Sequence, residues 1–296
     1  MPIAESQLER WSHQGATTSS ATAYAAVQVA ISRSNALQLR QIEVYLQGSY
    51  RNDTNIRGDS DVDVVVQSGA TFFYDLGRLA EPVRSTVKAS IEPEQYSWEW
   101  FRQDVLDALR SHFGAGRVED RNKCITVVSA GGSGIAADVL PAFTYRLYLE
   151  GTSGPYHVEG IAFKTQREGR LVANFPKRHC DKGVEKNRQT AGEFKLTVRV
   201  FKNARSHLVD ANMLQSGTAP SFFVECMVFN VANGAFSATT WQEQFVQVYN
   251  ALDNADLNSF MCPSGVTPLF GATPEQWTVE DAEEFLRQLA QLWNAQ

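Results

Sequence analysis

Three aspartates on alternate positions, followed at once by valines, constrain the fold of this chain more than any other stretch. The segment "GDSDVDVVV" places Asp59, Asp61 and Asp63 two residues apart in front of an apolar run. This alternation predicts a β-strand, and because strand side chains alternate between faces, Asp61 and Asp63 point the same way. Adjacent carboxylates repel each other, and a divalent cation removes that repulsion. We therefore expect a strand with an acidic end at a cation site and an apolar end in a core.

An EF-hand loop and a solvated strand end are the two alternatives for these aspartates. The EF-hand fails because Val64 stands where that loop needs Gly, and Ala70 stands where it needs Glu. The solvated strand end, with acids kept for solubility, stays open. If a cation binds, hard carboxylate oxygens favour Mg²⁺, Mn²⁺ or Ca²⁺.

Composition excludes several classes of protein. The chain has 296 residues, 43% of them hydrophobic and 20% charged, which is ordinary for a globular enzyme. A net charge of -6 argues against a protein that binds extended duplex nucleic acid, but it allows small phosphorylated ligands to bind in local pockets. The four cysteines form no CxxC pair, and no apolar run has the length of a signal peptide or a membrane span. We expect a cytoplasmic protein with no membrane attachment.

The pattern along the chain predicts an N-terminal α/β (α+β) region and a helical C-terminal region. We expect a helix over 18–39, a strand ending at Gly48, a second strand from Asp61, helices over about 75–89 and 97–113, and a hairpin turning near 168–169. The sequence after Pro176 reads as helices, including one continuous helix over 185–208. The predicted domain boundary lies near residue 176, between an α/β domain at 1–175 and a helical domain at 176–296.

The neighbourhood of the aspartates favours the cation site. Gly48 and Ser49 end one strand and precede the "DVD" element by eleven residues, so backbone N–H groups there could cradle a phosphate. Asp138, in "IAADVLPAF", is an acid inside an apolar strand, although a salt-bridged or strand-end Asp is the alternative. Together these elements resemble the signature of the nucleotidyltransferase superfamily related to DNA polymerase β. The resemblance implies a mixed-sheet core and makes Asp138 the third acid beside Asp61 and Asp63.

The helical half extends the resemblance. The segments "NFPKRHCDKGVEKNRQTAGEFKLTVRVFKNAR" and "PSFFVECMVFNV" resemble the C-terminal part of the CD-NTases, bacterial relatives of cyclic GMP–AMP synthase and oligoadenylate synthase. The resemblance implies that Lys202 reaches the donor triphosphate, that Ser221 caps the same phosphates, and that Phe222 stacks on the donor base. The alternatives are a solvated helix lysine, a helix N-cap after Pro220 and a core ring, respectively.

The family resemblance also implies an activity, with a nucleotidyltransferase catalytic domain at 1–175 and a helical domain at 176–296 that completes the nucleotide cleft. Asp61, Asp63 and Asp138 would hold two Mg²⁺ ions, with Mn²⁺ as a substitute, and Gly48, Ser49, Lys202 and Ser221 would anchor the triphosphate. The enzyme would join nucleoside triphosphates, ATP or GTP first and pyrimidine triphosphates as further candidates, with release of pyrophosphate. The product would be a cyclic or short oligonucleotide second messenger of bacterial antiphage (CBASS) signalling, read by a regulatory or effector protein of a defence operon.

Other functions stay open on the sequence alone. The acceptor could be an RNA 3′ end, a protein or a small molecule, or the chain could bind nucleotides without catalysis. Other motifs carry less weight. "AGGSG" at 130–134 lacks the Lys-Ser/Thr ending of a phosphate loop and predicts a hairpin turn. His179 is expected to be an ordinary histidine, and Lys186 a solvated helix charge.

Overall fold

The chain folds into two compact units. The computed structural model describes residues 2–15, 18–38, 40–57, 62–92, 96–128 and 136–295. We call residues 18–38, 40–47 and 62–177 the sheet unit, without the gaps just given. We call residues 2–15, 48–57 and 178–295 the helical unit. The predicted assignment of catalysis to 1–175 and of cleft completion to 176–296 stays a prediction.

The described residues form a mixture of helices and strands up to residue 174 and are helical after it. The strands are β1 (Ile42–Leu46), β2 (Val62–Asp75), β3 (Val118–Asp120), β4 (Ile125–Val127), β5 (Ala137–Leu149), β6 (Tyr156–Lys164) and β7 (Leu171–Asn174). The helices are α1 (Glu5–Ser12), α2 (Thr18–Ser32), α3 (Gly48–Asn52), α4 (Val83–Ala89), α5 (Trp98–Phe113), α6 (Pro176–Gln189), α7 (Glu193–Asp210), α8 (Ser221–Asn230), α9 (Trp241–Asp253) and α10 (Val279–Ala295).

The sheet unit is built around one mixed sheet. In the described residues its strand order is β1-β2-β5-β4-β3, with β6 pairing β5 and β7 pairing β6. Only the pairing of β2 with β5 is parallel; the other described pairs are antiparallel. Val64, Val65 and Val66 are fully buried, as expected for a central strand covered on both faces. Helix α5 packs on β5, where the rings of Phe101 and Phe143 stack with centroids 5.3 Å apart.

The helical unit buries the apolar stripes of its helices against one another. On α7, Val198 and Phe201 are fully buried, at the spacing that places them on one helical face. The ring of Phe201 stacks on Phe245 of α9 with centroids 4.9 Å apart, and Phe245 in turn stacks on Trp293 of α10 at 5.0 Å. No helix in the described ranges is both long and apolar enough to cross a lipid bilayer.

Three helix predictions were wrong in extent, the first because the helix predicted over 18–39 ends at Ser32 as α2. The region 185–208 is not one helix, because α6 ends at Gln189 and α7 begins at Glu193. Gly192 between them has a φ of 98°, a left-handed conformation that glycine adopts without strain. The region 75–89 is helical only from Val83, directly after Pro82, because proline lacks the N–H of a helix interior. The helix predicted over 97–113 is confirmed as α5, and the hairpin near 168–169 as β6 and β7.

Candidate active site

Two acids stand opposite each other at the start of two central strands of the sheet unit. Asp63 is the second residue of β2, Asp138 is the second residue of β5, and the parallel register pairs them directly. Register partners on adjacent strands project from the same face of a sheet, so the two carboxylates are neighbours. Both residues are partly exposed, whereas the preceding Val62 and Ala137 are buried. Asp61, the third predicted acid, lies outside the described residues.

The surroundings of Asp138 supply hydroxyl and thiol groups. The Thr126 hydroxyl on β4 donates a hydrogen bond to Asp138 Oδ1 at 2.6 Å. Burial, together with the negative charge of Asp138, raises the pKa of the neighbouring Cys124 thiol to about 11. Cys124 is therefore a neutral thiol near pH 7. Within the described ranges, no Lys or Arg forms an ion pair with Asp138, so the salt-bridged alternative for this acid is wrong there.

The donor set of this face fits a hard divalent cation. Asp63 and Asp138 offer carboxylate oxygens, the ligand type that Mg²⁺ and Mn²⁺ prefer, and their facing negative charges favour a cation. Among the residues that the structure describes, no group of three or more Asp, Glu, His or Cys side chains is placed to hold a metal. The predicted trio therefore has two members in the described chain.

The predicted phosphate-binding residues lie in the helical unit. Gly48 opens α3 with a φ of 67°, a conformation that suits glycine, and Ser49 follows as the next residue of that helix. Ser221 is the first residue of α8, while Pro220 holds the cap position, so Ser221 does not act as the N-cap. The free N–H groups of a helix start and its dipole attract anions. The site roles of Gly48, Ser49 and Ser221 stay predictions.

Phe222 is an exposed ring that packs against two other aromatic rings, and it is not a core ring. It is 39% exposed, which contradicts the core alternative. Its ring centroid lies 5.1 Å from that of His179 on α6 and 5.8 Å from that of Trp277, with which it stacks. Such a supported ring can receive a nucleobase on its open side. No pattern in the sequence indicated Trp277 as its neighbour.

Lys202 lies in a buried polar cluster. The side chain is 1% exposed, so the alternative of a solvated helix lysine is wrong. Its Nζ bonds to Glu225 Oε2 at 2.9 Å, to Thr54 Oγ1 at 3.0 Å and to the Thr54 carbonyl at 3.3 Å. Contact with a donor triphosphate stays a prediction for Lys202, and it requires the ammonium to leave these partners.

Glu225, which the sequence did not single out, is the acceptor at the centre of this cluster. Its Oε1 accepts from Asn52 Nδ2 at 2.8 Å and from His179 Nε2 at 2.7 Å, and its Oε2 accepts from Thr54 Oγ1 at 2.6 Å and from Lys202. Burial alone would raise the pKa of Glu225, but the charge of Lys202 and the hydrogen bonds outweigh it and hold the pKa well below its usual range.

Comparisons with known proteins agree with this architecture. Residues 31–106 match the model of a nucleotidyltransferase domain, and residues 181–294 match the model of the cGAS/DncV-like nucleotidyltransferase C-terminal helical domain. A cyclic UMP-AMP synthase of Rhodothermus marinus is 42% identical, over 99% of this chain and 98% of that protein. The cyclic nucleotide synthase CdnE01 of Staphylococcus haemolyticus is 35% identical, over 99% of each. A solved structure of the Rhodothermus marinus CdnE c-UMP-AMP synthase with Apcpp and Upnpp has a TM-score of 0.88 at 40% identity, covering 99% of this chain and 97% of that one.

The mixed sheet with its facing acids, followed by the matched helical region, defines a nucleotidyltransferase. At these identities over nearly the whole length, the chain belongs to the CD-NTase family, the cGAS/DncV-like nucleotidyltransferases. The predicted family, the fold class and the enzyme class of a cyclic nucleotide synthase are thereby confirmed.

Proposed function

We propose that this enzyme joins two nucleoside triphosphates into a cyclic dinucleotide and releases two pyrophosphates. The observation that carries the proposal is the direct pairing of Asp63 with Asp138 on parallel strands, in a chain of this family. The relative of 42% identity is a cyclic UMP-AMP synthase, which makes UTP and ATP the first substrate pair to test, ahead of ATP with GTP.

Each half of the reaction makes one phosphodiester bond. A ribose hydroxyl oxygen of the acceptor attacks the α-phosphorus of the donor, the bond from that phosphorus to the β-phosphate oxygen breaks, and pyrophosphate leaves. A hydroxyl of the donor's ribose then attacks the α-phosphorus of the acceptor's triphosphate, the bond from that phosphorus to its β-phosphate oxygen breaks, and the second pyrophosphate leaves as the ring closes. Each attacking hydroxyl gives up its proton to the surrounding water. Asp63 and Asp138, together with Asp61, would hold two Mg²⁺ or Mn²⁺ ions. When bound, these cations supply positive charge that favours the ionised hydroxyl and neutralises the triphosphate.

The side chains of the protein hold the reactants in the order that this attack requires. The N–H groups at Gly48 and Ser49, the hydroxyls of Ser49 and Ser221, and the start of α8 would anchor the phosphates of the donor. The open face of Phe222 would stack on the donor base. Correct placement of the α-phosphorus supplies much of the rate in such a reaction, because no protein nucleophile takes part.

The proposed setting is bacterial antiphage (CBASS) signalling in the cytoplasm, where nucleoside triphosphates are made and used. The four cysteines are all free thiols, which is compatible with a reducing compartment. The cyclic product would diffuse to a separate effector protein, which requires recognition of that product and no extended nucleic acid or membrane.

The test uses the purified chain with all single NTPs and all NTP pairs, in the presence of Mg²⁺ or Mn²⁺. After phosphatase treatment, mass spectrometry should find a resistant species with the mass of two nucleotides and no terminal phosphate, most abundant with ATP and UTP. The Asp138→Asn variant, prepared identically, should yield none. Products that phosphatase degrades completely, or label transferred to an added RNA or protein, would contradict the proposal.

A further inference from the structure

Glu225 and its hydrogen-bond donors join two helices that carry predicted triphosphate contacts. The carboxylate is 3% exposed and each of its oxygens accepts two hydrogen bonds. The donors come from the end of α3, from the residue at position 54, from α6 and from α7. An ionised carboxylate offers about four acceptor sites, so this one is saturated by protein groups.

Thr54 connects this cluster to Ser49. Its backbone N–H donates to the Ser49 carbonyl at 2.9 Å, which closes the turn after α3. Its hydroxyl donates to Glu225 Oε2 at 2.6 Å and accepts from Lys202 Nζ at 3.0 Å. Asn52, the last residue of α3, adds a second hydrogen bond to the same carboxylate. The segment that begins with Gly48 is therefore held through its C-terminal end.

The other side of the connection is the start of α8. Glu225 lies four residues after Ser221 on that helix, which is about one helical turn. The helix between them is rigidly packed, because Phe223 and Val224 are fully buried. The cluster thus fixes the distance between Ser49 and Ser221 through one threonine, one carboxylate and one turn of helix.

We propose that Glu225 is a positioning residue for the nucleoside triphosphate, because it holds the Ser49 segment in register with the start of α8 through the hydroxyl of Thr54. The inference rests on the proposed function of Ser49 and Ser221 as phosphate contacts. Two anchors bind one triphosphate tightly only when their spacing is fixed before the ligand arrives. Because Lys202 keeps Glu225 ionised, the carboxylate remains an acceptor for all four donors at neutral pH.

The sharpest variant is Thr54→Val, which removes the connecting hydroxyl and keeps the shape and the Glu225–Lys202 ion pair. Thr54→Ser returns the hydroxyl. Thr197→Val is the matched control. The Thr197 hydroxyl, on α7, is buried like that of Thr54 but has no hydrogen-bond partner among the described residues. Val248→Ala controls for stability, since it removes core volume from α9 without touching the cluster.

The measurement is the Kd of a non-hydrolysable ATP analogue with Mg²⁺ by titration calorimetry, beside the melting temperature of each variant. Thr54→Val should weaken binding about tenfold, Thr54→Ser should stay within about twofold of the wild type, and Thr197→Val should match it. Val248→Ala should melt at a lower temperature with an unchanged Kd. If Thr54→Val does not fold, Asn52→Ala removes the second hydrogen bond and should weaken binding about threefold.

The outcomes separate this inference from the function on which it rests. Wild-type binding by Thr54→Val, while Ser49→Ala and Ser221→Ala bind weakly, would overturn the positioning role and leave the phosphate contacts standing. Wild-type binding by both serine variants would overturn the phosphate contacts and the positioning role together. Weaker binding by Val248→Ala, in proportion to its lower melting temperature, would reduce the Thr54 effect to one of stability and also overturn the inference.

Discussion

Asp138 in the sheet unit and Glu225 in the helical unit are the same chemical group in opposite settings. Asp138 is partly exposed, faces a second aspartate, and accepts from the hydroxyl of Thr126. Glu225 is buried, pairs with Lys202, and accepts four hydrogen bonds. A carboxylate with remaining acceptor capacity beside a like charge can take a cation from solution, whereas a saturated one can only hold structure. Burial and partners, more than residue type, separate the two roles.

The largest effect that tests this contrast is expected at Asp138. Asp138→Asn keeps the shape and the acceptor oxygen for Thr126 but removes the charge. Turnover should fall about a thousandfold or more, the upper range for an electrostatic catalytic group, and Asp63→Asn and Asp61→Asn should behave alike. Stability should not fall, because one of two facing like charges is removed. Initial rates of NTP incorporation and urea unfolding on one preparation measure both.

Asp75→Asn is the matched control for this prediction. Asp75 ends the same strand, β2, and makes hydrogen bonds with the backbone N–H of Gly77 and the hydroxyl of Tyr145. Its variant should turn over like the wild type. Near-normal turnover by Asp138→Asn would remove this residue from the site.

The second prediction concerns the buried Glu225–Lys202 pair. Here the free energy of unfolding should fall, whereas the Asp138 variant should keep it. Lys202→Met leaves the Glu225 charge uncompensated in the interior, which should lower the free energy of unfolding by about 3 kcal/mol. The double variant Glu225→Gln/Lys202→Met removes both charges and should lose clearly less than the sum of the two single variants. Urea unfolding of the wild type, both single variants and the double variant gives the coupling energy. Additive losses would show that the two charges do not stabilise each other.

The acid pair could be predicted from local rules only in part, because the choice of Asp138 as the third acid rested on the family resemblance. Strand alternation put Asp61 and Asp63 on one face, and an acid inside the apolar stretch around Asp138 needed a reason to be there. The pairing of Asp63 with Asp138 needs only that both strands begin at the same edge of the sheet, which is how β2 and β5 lie.

The buried cluster could not be predicted in the same way. Glu225 in "SFFVECMVFN" is an acid amid apolar residues and signals a buried partner, but the partner set depends on tertiary packing across more than a hundred residues of sequence. Lys202 lies four residues after Val198, on the face of α7 that is buried. That spacing predicts a buried lysine but does not identify Glu225 as its partner.

Lys186 sharpens the comparison as a buried cation with no carboxylate partner among the described residues. Its Nζ donates to the Val231 carbonyl at 2.7 Å and to Asn233 Oδ1 at 2.9 Å, so the expected solvated charge was wrong. Burial lowers the pKa of Lys186 to about 8. Between pH 8 and the ordinary lysine pKa of about 10.4, the unfolded chain binds the proton that the folded chain has released. Stability therefore rises with pH in this window.

The expected size of this pH effect is about 1 to 2 kcal/mol, because one pKa unit corresponds to about 1.4 kcal/mol and burial is incomplete. The difference in unfolding free energy between wild type and Lys186→Met should grow in favour of the wild type from pH 8 to pH 10 and stay level from pH 6 to pH 7.5. Taking the difference cancels the titration of tyrosines and cysteines. Lys182→Met, at an exposed lysine of the same helix, should give no such slope. A level difference throughout would mean that Lys186 titrates as a solvated lysine.

The smallest expected effect tests whether the Thr126 hydroxyl orients Asp138 for a cation. Thr126→Val removes the hydrogen bond to Oδ1 with little change in volume. The Mg²⁺ concentration for half-maximal rate should rise about fourfold, close to 0.8 kcal/mol, with kcat reduced less than about threefold, because a group behind a metal ligand tunes affinity more than chemistry. Thr126→Ser should restore the wild-type value. Thr144→Val, which removes a β5 hydroxyl bonded to Gln67, should leave the Mg²⁺ dependence unchanged. A loss of turnover as large as that of Asp138→Asn would mean that the hydroxyl takes part in the chemistry, and an unchanged Mg²⁺ dependence would mean that Asp138 needs no such support.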